Sequence, residues 1–399
     1  MIKKLLFSLA FTSCLFIKAS AQQSRESQID MKNFIKDQFD FAAKQYGYLA
    51  KNTPSDRMPK TYDKTTGKSE TSSTKWWCSG FYPGTLLYIY EYTQDTSILN
   101  EAKKRLNILE KEKHYTGNHD LGFMMYCSFG NAYRILKDKK YISTIDTAAA
   151  SLSTRFREKA GVIQSWNSTS KFQGPVIIDN MMNLELLCWA SKTTDNKKYW
   201  EIAISHADST LKNHFRSDFS SYHVVDYDMA NGKVIKKLTH QGAADESAWS
   251  RGQSWALYGY TLMYRFTKDK KYLDQANHIA KFILTNPNLP ADKIPYWDFN
   301  APGIPNALRD VSAATINASA LLELAQYNKQ KRNHYVNTAK QILLNVASDK
   351  YKAKLGENGG FILMHSVGSM PHQNEIDVPL TYADYYFLEA LHRYKNWYL

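Results

Sequence analysis

This sequence predicts an all-α fold, an (α/α)6 toroid of six helical hairpins, and three observations point to it. The first is a weak repeat. A polar turn leads into an apolar residue, with a small or apolar residue four positions on, at Ile98/Ala102, Tyr141/Ile145, Tyr199/Ala203, Tyr272/Ala276 and Tyr335/Ala339. Three copies share a Lys-rich lead-in, KDKKY, DNKKY and KDKKY. A spacing of four puts both residues on one helical face. The second observation is an alternation of helix types. Tyr272, Ala276, Ile279, Ala280 and Ile283 form a stripe flanked by Lys271, Asp274, Asn277 and Lys281, the pattern of a surface helix. By contrast, Ile178–Ala190 and Ala248–Leu262 are apolar or small on nearly every side, the pattern of a buried one. The third is an asymmetry of connections: inner-to-outer turns are short and most outer-to-inner segments are long.

In chain order the periodicity gives about twelve helices, over 31–50, 80–94, 98–113, 119–136, 140–156, 178–193, 196–214, 247–267, 270–286, 310–327, 330–348 and 379–395. The long segments are 51–79, 157–177, 215–246, 287–309 and 349–378. In a ring of hairpins they gather on one face, where the inner helices begin, and loops on a rigid scaffold usually carry function. A two-domain helical solenoid is the alternative architecture.

Ahead of the first helix, Lys3 and Lys4 form a basic n-region, Leu5–Ile17 is a short apolar stretch, and Ala19-Ser20-Ala21 is a cleavage site. Residues 1–21 therefore read as a signal peptide and 22–399 as a single domain, exported to the periplasm or secreted, with no stable membrane insertion. The sequence has 27 Tyr and 9 Trp, which suit either sugar stacking or a large core. Its formal net charge of +13 favours an anionic partner. With no basic run and no nucleic-acid-binding signature, nucleic acid is set aside for an acidic polysaccharide. With Cys14 in the signal peptide set aside, Cys78, Cys127 and Cys188 are odd in number and widely spaced, which fits neither a disulfide framework nor a metal site. No metal constellation, P-loop or dinucleotide fingerprint appears, so neither metal nor cofactor is called for.

Polar residues at inner-helix starts are the candidates for chemistry. Asp179, in VIIDNMMN, is flanked by apolar residues that raise a carboxyl pKa, while the helix N-terminus opposes the rise. An ordinary N-cap is the competing reading, and the residues alone leave both open. Asp120, in HDLGF, sits where an N-cap belongs, and that reading leads; paired with Asp179 it suits glycoside chemistry. Arg251 stands in an otherwise apolar helix. It is either paired with a core carboxylate such as Asp310 or is a clamp for a substrate carboxylate. Trp255 lies on the same face one turn later, as a stacking wall or as core. His223 and Gln241 fall in the loop before that helix.

WWCSGFYPGTL, HDLGF, IIDNMMNLELL, SAWSRGQSWALYGY and YADYYFLEAL, in order from Trp76 to Leu391, resemble glycoside hydrolase family 88, the unsaturated glucuronyl hydrolases. The resemblance implies the toroid independently. It also implies an unusual reaction: hydration of the C4=C5 bond that a lyase leaves on the terminal uronic acid of an acidic oligosaccharide. The resulting hemiketal opens and frees the neighbouring sugar. In that reading Asp179 is the acid/base, and Asp120 holds sugar hydroxyls and supports it. His223, Gln241, Arg251 and Trp255 bind substrate, and Trp77 and Trp166 fall near sugar-stacking positions. Members that accept 6-sulfated chondroitin fragments resemble S-x-x-S-x-K before the last helix. Here Ser366 and Ser369 stand but Pro371 replaces the lysine, so preference for a 6-sulfate is not implied. The IIDNMMN motif favours this branch over the unsaturated rhamnogalacturonyl hydrolases. An inverting glycosidase acting on saturated glucuronides through Asp120 and Asp179, and a non-catalytic binder of acidic glycans, are the rival functions.

Overall fold

The short turns explain the repeat. In the computed structural model, which describes residues 31–399, the inner helices α2 (Phe81–Thr93), α4 (Asn131–Leu136), α6 (Asn180–Thr194) and α8 (Ser250–Thr267) each end on a left-handed residue. These are Gln94, Lys137, Asp195 and Lys268, with φ between 57° and 59°. The next residue is Asp95, Asp138, Asn196 or Asp269. Its side chain accepts the backbone N–H two residues on, from Ser97, Lys140, Lys198 or Lys271. This starts the outer helices α3 (Thr96–Leu109), α5 (Lys140–Ser153), α7 (Lys197–Asn213) and α9 (Lys270–Thr285). KDKKY and DNKKY are thus a helix stop and a helix start in adjacent residues. The left-handed stop is made without glycine, and a cap of this kind is worth about 1 kcal/mol.

The inner helices close a ring. α2 packs on a π-helical segment (Gly122–Gly130) that runs straight into α4; that segment packs on α6, α6 on α8, α8 on α10 (Val311–Tyr327), α10 on α12 (Thr381–Tyr398), and α12 back on α2. Outside lie α3, α5, α7, α9 and α11 (Arg332–Val346), with α1 (31–51) joined by Phe39 stacked on Tyr92 at 4.3 Å and Tyr46 donating to Asp384 at 3.1 Å. Every residue from Val311 to Ala325 of α10 is buried. On outer α9 only Tyr272, Gln275, Ala276, Ile279, Ala280 and Ile283 are. Ile279 and Ile283, fully buried in that stripe, contribute about 1.5–3 kcal/mol each. The all-α ring of six hairpins predicted from the sequence is the fold observed.

Two local expectations need correction. The helix predicted over 119–136 is π-helical over Gly122–Gly130. The cause is a close approach: a Cβ on Gly122 would sit 2.4 Å from Asn183 Cα, and Asn183 Oδ1 accepts the Phe123 N–H at 3.1 Å. The long segments are also more ordered than plain loops. They carry antiparallel ribbons β1 (Met58–Asp63) with β2 (Lys68–Ser72), β3 (Phe156–Arg157) with β4 (Val162–Ile163), and β8 (Ser366–Ser369) with β9 (Asn374–Val378). A three-stranded sheet joins β5 (Pro175–Ile177), β6 (Val224–Tyr227) and β7 (Val234–Leu238). Neighbouring segments are sewn together by the Asn118–Trp166 and Trp249–Asp298 bridges and by Val311 N–H donating to His365 O. Cys78, Cys127 and Cys188 are free thiols. Among the described residues no helix is long and apolar enough to cross a membrane. The signal peptide read at 1–21 lies outside the described residues.

Candidate active site

Three aspartates begin inner helices, and only one of them behaves as a cap. Asp310 accepts the Ser312 N–H at 3.1 Å and the Ser312 hydroxyl at 2.6 Å. Asp179 occupies the N-cap position of α6 yet caps nothing. β5 pairs with β6, Ile178 N–H donates to His223 O at 3.0 Å, and the carboxyl faces His223 Nε2 at 3.7 Å instead. Its Oδ2 is buried without a hydrogen bond. Burial pushes its pKa up to about 7, against the pull of Arg251. Asp120 caps nothing either; it faces His119 Nε2 at 3.3 Å. Burial and then the charge of Asp179 push it up to about 8, against the pull of Arg155. Both carboxyls are therefore raised toward neutrality, and the charge of Asp179 adds to the rise of Asp120.

The histidines around them are neutral. Burial holds His119 down to about 3 and lowers His223 well below its ordinary value. His223 Nδ1 accepts two backbone N–H groups, from His240 at 3.1 Å and Gln241 at 3.0 Å. A nitrogen that accepts twice carries no proton, so the ring proton is on Nε2. That N–H lies 3.7 Å from Asp179 Oδ2, where a small movement makes the bond. Gln241 contributes its backbone to this arrangement, and its Nε2 donates to Gly368 O at 3.0 Å.

Arg251 is 1% exposed. Its Nη1 donates to Asp310 Oδ2 at 2.8 Å and Val367 O at 2.5 Å, and its Nη2 to Gly368 O at 2.6 Å. The ion pair with Asp310, one of the two roles read from the sequence, is realised. The guanidinium is a beam between α8, α10 and β8 before it is a clamp, although Nε is left unpaired and the group borders a cavity of about 230 Å³. Trp77 is half-buried and borders the same cavity, tilted against Tyr382 at 4.9 Å. Trp166 is half-buried and packs against His240 at 5.4 Å. Ser369 borders the cavity and bonds His372 Nδ1 at 2.7 Å.

Two predicted contacts are corrected. Trp255 is fully buried against Phe123 at 5.0 Å and Tyr386 at 5.4 Å, one turn deeper than Arg251, so it supports the core and is no wall for a sugar. Ser366 is fully buried and its hydroxyl accepts the Ser312 N–H at 3.1 Å, so it anchors β8 to α10. Sequence reasoning missed His119, Arg155, Glu375 and Tyr382. HDLGF places His119 beside Asp120, but a lone histidine without a partner at metal-ligand spacing carries no signal of its own. Glu375 gave no signal, since it lies in the long segment 349–378, where the periodicity defines no helix.

A larger cavity, about 560 Å³, opens among side chains from the other ends of the inner helices. There Arg265 bonds Glu185 and Glu323, while Glu389 accepts from Tyr88, Tyr258 and Ser319. Among the described residues none of its lining side chains has a buried unpaired polar atom, whereas Asp179, His223, Arg251, Glu375 and Tyr382 all do. Unmet hydrogen-bonding capacity beside the two raised carboxyls favours that face over the larger cavity.

Comparison with known proteins gives the family. The profile of Glycosyl Hydrolase Family 88 matches residues 52–266. An unsaturated glucuronyl hydrolase of Formosa agariphila is 46% identical over 81% of this chain and 81% of its own length. One from a Bacillus species is 33% identical over 86% of this chain and 92% of its own. A crystal structure of an unsaturated glucuronyl hydrolase specific for heparin superposes with a TM-score of 0.88 at 47% identity, covering 91% of this chain and 97% of that one. With its ring, its paired carboxyls and this identity across most of its length, the chain is a glycoside hydrolase and belongs to family 88.

Proposed function

We propose that this enzyme removes the 4,5-unsaturated uronic acid from the non-reducing end of lyase-generated glycosaminoglycan oligosaccharides, by hydrating the C4=C5 bond. The observation that carries it is Asp179: a buried, uncapped carboxyl whose pKa is pushed up to about 7, with a neutral imidazole N–H aimed at it. Protonated Asp179 delivers its proton to C4, and positive charge develops at C5 and the ring oxygen. Water adds to C5 and returns a proton to Asp179, so the acid is regenerated. The C5 hemiketal then opens and the neighbouring sugar leaves with its own glycosidic oxygen. One residue gives and takes the proton, which suits a pKa near the working pH. The Nε2–H of His223 stabilises the Asp179 anion between the two transfers. Asp120, coupled to it, keeps a proton available and holds sugar hydroxyls. Gln241, Arg251 and Ser369 border the space for the rest of the substrate, with Trp77 and Trp166 as its aromatic sides. The relatives named above support the substrate class. The basic n-region, apolar stretch and A-x-A site support export to the periplasm or beyond, which cell fractionation checks.

The test uses lyase-made disaccharides in heavy-oxygen water. The absorbance of the double bond falls as sugar is released, and the label appears at the former C5 of the opened uronate. Label in the released sugar's hydroxyl excludes hydration, and label at the uronate C1 supports direct inverting hydrolysis instead.

A further inference from the structure

Asp120 and Asp179 are carried by different segments, and one buried side chain touches the mounts of both. Ser165, in the connection between β4 and β5, is fully buried. Its backbone N–H donates to Pro175 O at 2.8 Å, and its carbonyl accepts the His119 N–H at 3.0 Å. Its Oγ accepts the Ile177 N–H at 2.9 Å, two residues before Asp179. Among the described residues the hydroxyl proton has one acceptor within hydrogen-bond distance, His119 Nδ1 at 3.4 Å. A buried hydroxyl keeps its proton paired. The bond made at one ring nitrogen of a histidine sets which nitrogen carries the proton. With Nδ1 accepting, the proton of His119 is on Nε2, which faces Asp120 Oδ1 at 3.3 Å. Arg155 ties the same two segments, donating to Thr116 O at 2.6 Å and Gln164 O at 2.7 Å. The N–H of Asp120 itself goes to Asn118 Oδ1 at 3.0 Å.

We infer that Ser165 is the positioning residue of the two carboxyls: through His119 it fixes the donor that orients Asp120, and through Ile177 it fixes the strand that delivers Asp179. This rests on the function proposed above. His119 takes Oδ1 of Asp120, which leaves Oδ2 for the sugar hydroxyls. The geometry repeats that at Asp179, where His223 presents Nε2 at 3.7 Å. There two backbone N–H groups set the tautomer, and a side-chain change leaves them in place. At His119 a side chain sets it, so removing one oxygen undoes it. Without the hydroxyl, Nδ1 has no donor and the ring is free to carry its proton there. An unprotonated Nε2 then meets the Asp120 carboxylate as acceptor against acceptor.

The experiment uses Ser165→Ala, which keeps the backbone bonds to Pro175 and from His119 and deletes only the hydroxyl. Nitrogen NMR of the imidazoles and steady-state kinetics on a lyase-made disaccharide read the result, with circular dichroism to check the fold. The wild type is expected to show His119 neutral with its proton on Nε2. In Ser165→Ala an Nδ1–H population appears, and kcat falls by about tenfold to a hundredfold with KM changed much less, the scale of one lost hydrogen bond to a charged group. His119→Gln, whose amide N–H can stand where Nε2–H does, is expected to keep activity that His119→Leu loses. That pair decides the matter if Ser165→Ala fails to fold. A proton on Nδ1 in the wild type, an unchanged kcat in folded Ser165→Ala, or equal activity of His119→Gln and His119→Leu overturns the role of Ser165 while leaving the function standing. No turnover of the disaccharide by the wild type sinks the function and this inference with it.

Discussion

Replacing Arg251 with alanine tests whether the guanidinium is a structural beam. The change removes three donors at once: from Asp310 Oδ2 at 2.8 Å, Val367 O at 2.5 Å and Gly368 O at 2.6 Å. Asp310 is fully buried, and the Ser312 N–H and hydroxyl satisfy only its other oxygen. Breaking a buried ion pair from one side costs about 3–5 kcal/mol. Val367 O also loses its Arg251 donor, at about 1–3 kcal/mol if it stays dry, while Gly368 O keeps Gln241 Nε2 at 3.0 Å, so the cost moves toward the upper end of that range. Against a typical total stability of about 5–15 kcal/mol this is a large fraction. Arg251→Lys keeps a charge for Asp310 but lacks the fork that spans both carbonyls, so it falls in between. Equilibrium urea unfolding at pH 7, followed by far-UV circular dichroism, reads the difference. A loss for Arg251→Ala below about 1 kcal/mol refutes the structural role and returns the residue to pure substrate binding.

Three further outcomes follow from the carboxyl pair and its surroundings. Asp179→Asn lowers turnover by about a hundredfold or more while substrate binding persists, checked by steady-state kinetics and by fluorescence titration with a lyase-made disaccharide. Asp179 and Asp120 are raised to about 7 and about 8, so their protonated forms favour the fold at low pH. That contribution fades as pH rises from the unfolded value of about 4 through the folded ones, so Asp179→Asn stabilises the protein more at pH 8.5 than at pH 5 in paired urea titrations. His223, buried and neutral, shows no imidazole titration between about pH 5.5 and 9 by nitrogen NMR and carries its proton on Nε2; a proton on Nδ1 removes it from the mechanism.

The ring was legible because burial has a period. Outer helices show a stripe and inner ones none, and the Asp and Asn caps mark the turns between them. The carboxyls were legible by position, since inner-helix starts converge on one face. What the residues hid is depth and direction. Arg251 and Trp255 share a helix face, but one turn is about 5.4 Å, enough to move from the mouth of the ring into its core. Ser366 and Ser369 are three apart on a strand, so they turn to opposite sides, one toward α10 and one toward the cavity. The π-helical turns of Gly122–Gly130 look α-helical in sequence, because the Asn183 that reshapes them comes from another hairpin. Glu375 was invisible because its burial comes from a left-handed backbone that no local pattern requires.

Ring closure has a consequence for how the chain is made. The wall between α12 and α2 is built from aromatic contacts such as Phe81 with Tyr382 at 5.8 Å and Tyr88 with Tyr385 at 5.5 Å, residues that leave the ribosome far apart in time. At about 5–20 residues per second, α2 waits tens of seconds for its partner. Until then the inner faces of α2 and α10 have no neighbour on that side, and neither does the floor beneath the β8–β9 ribbon. A nascent chain of this enzyme is an open arc with an apolar edge, and its last helix acts as the keystone.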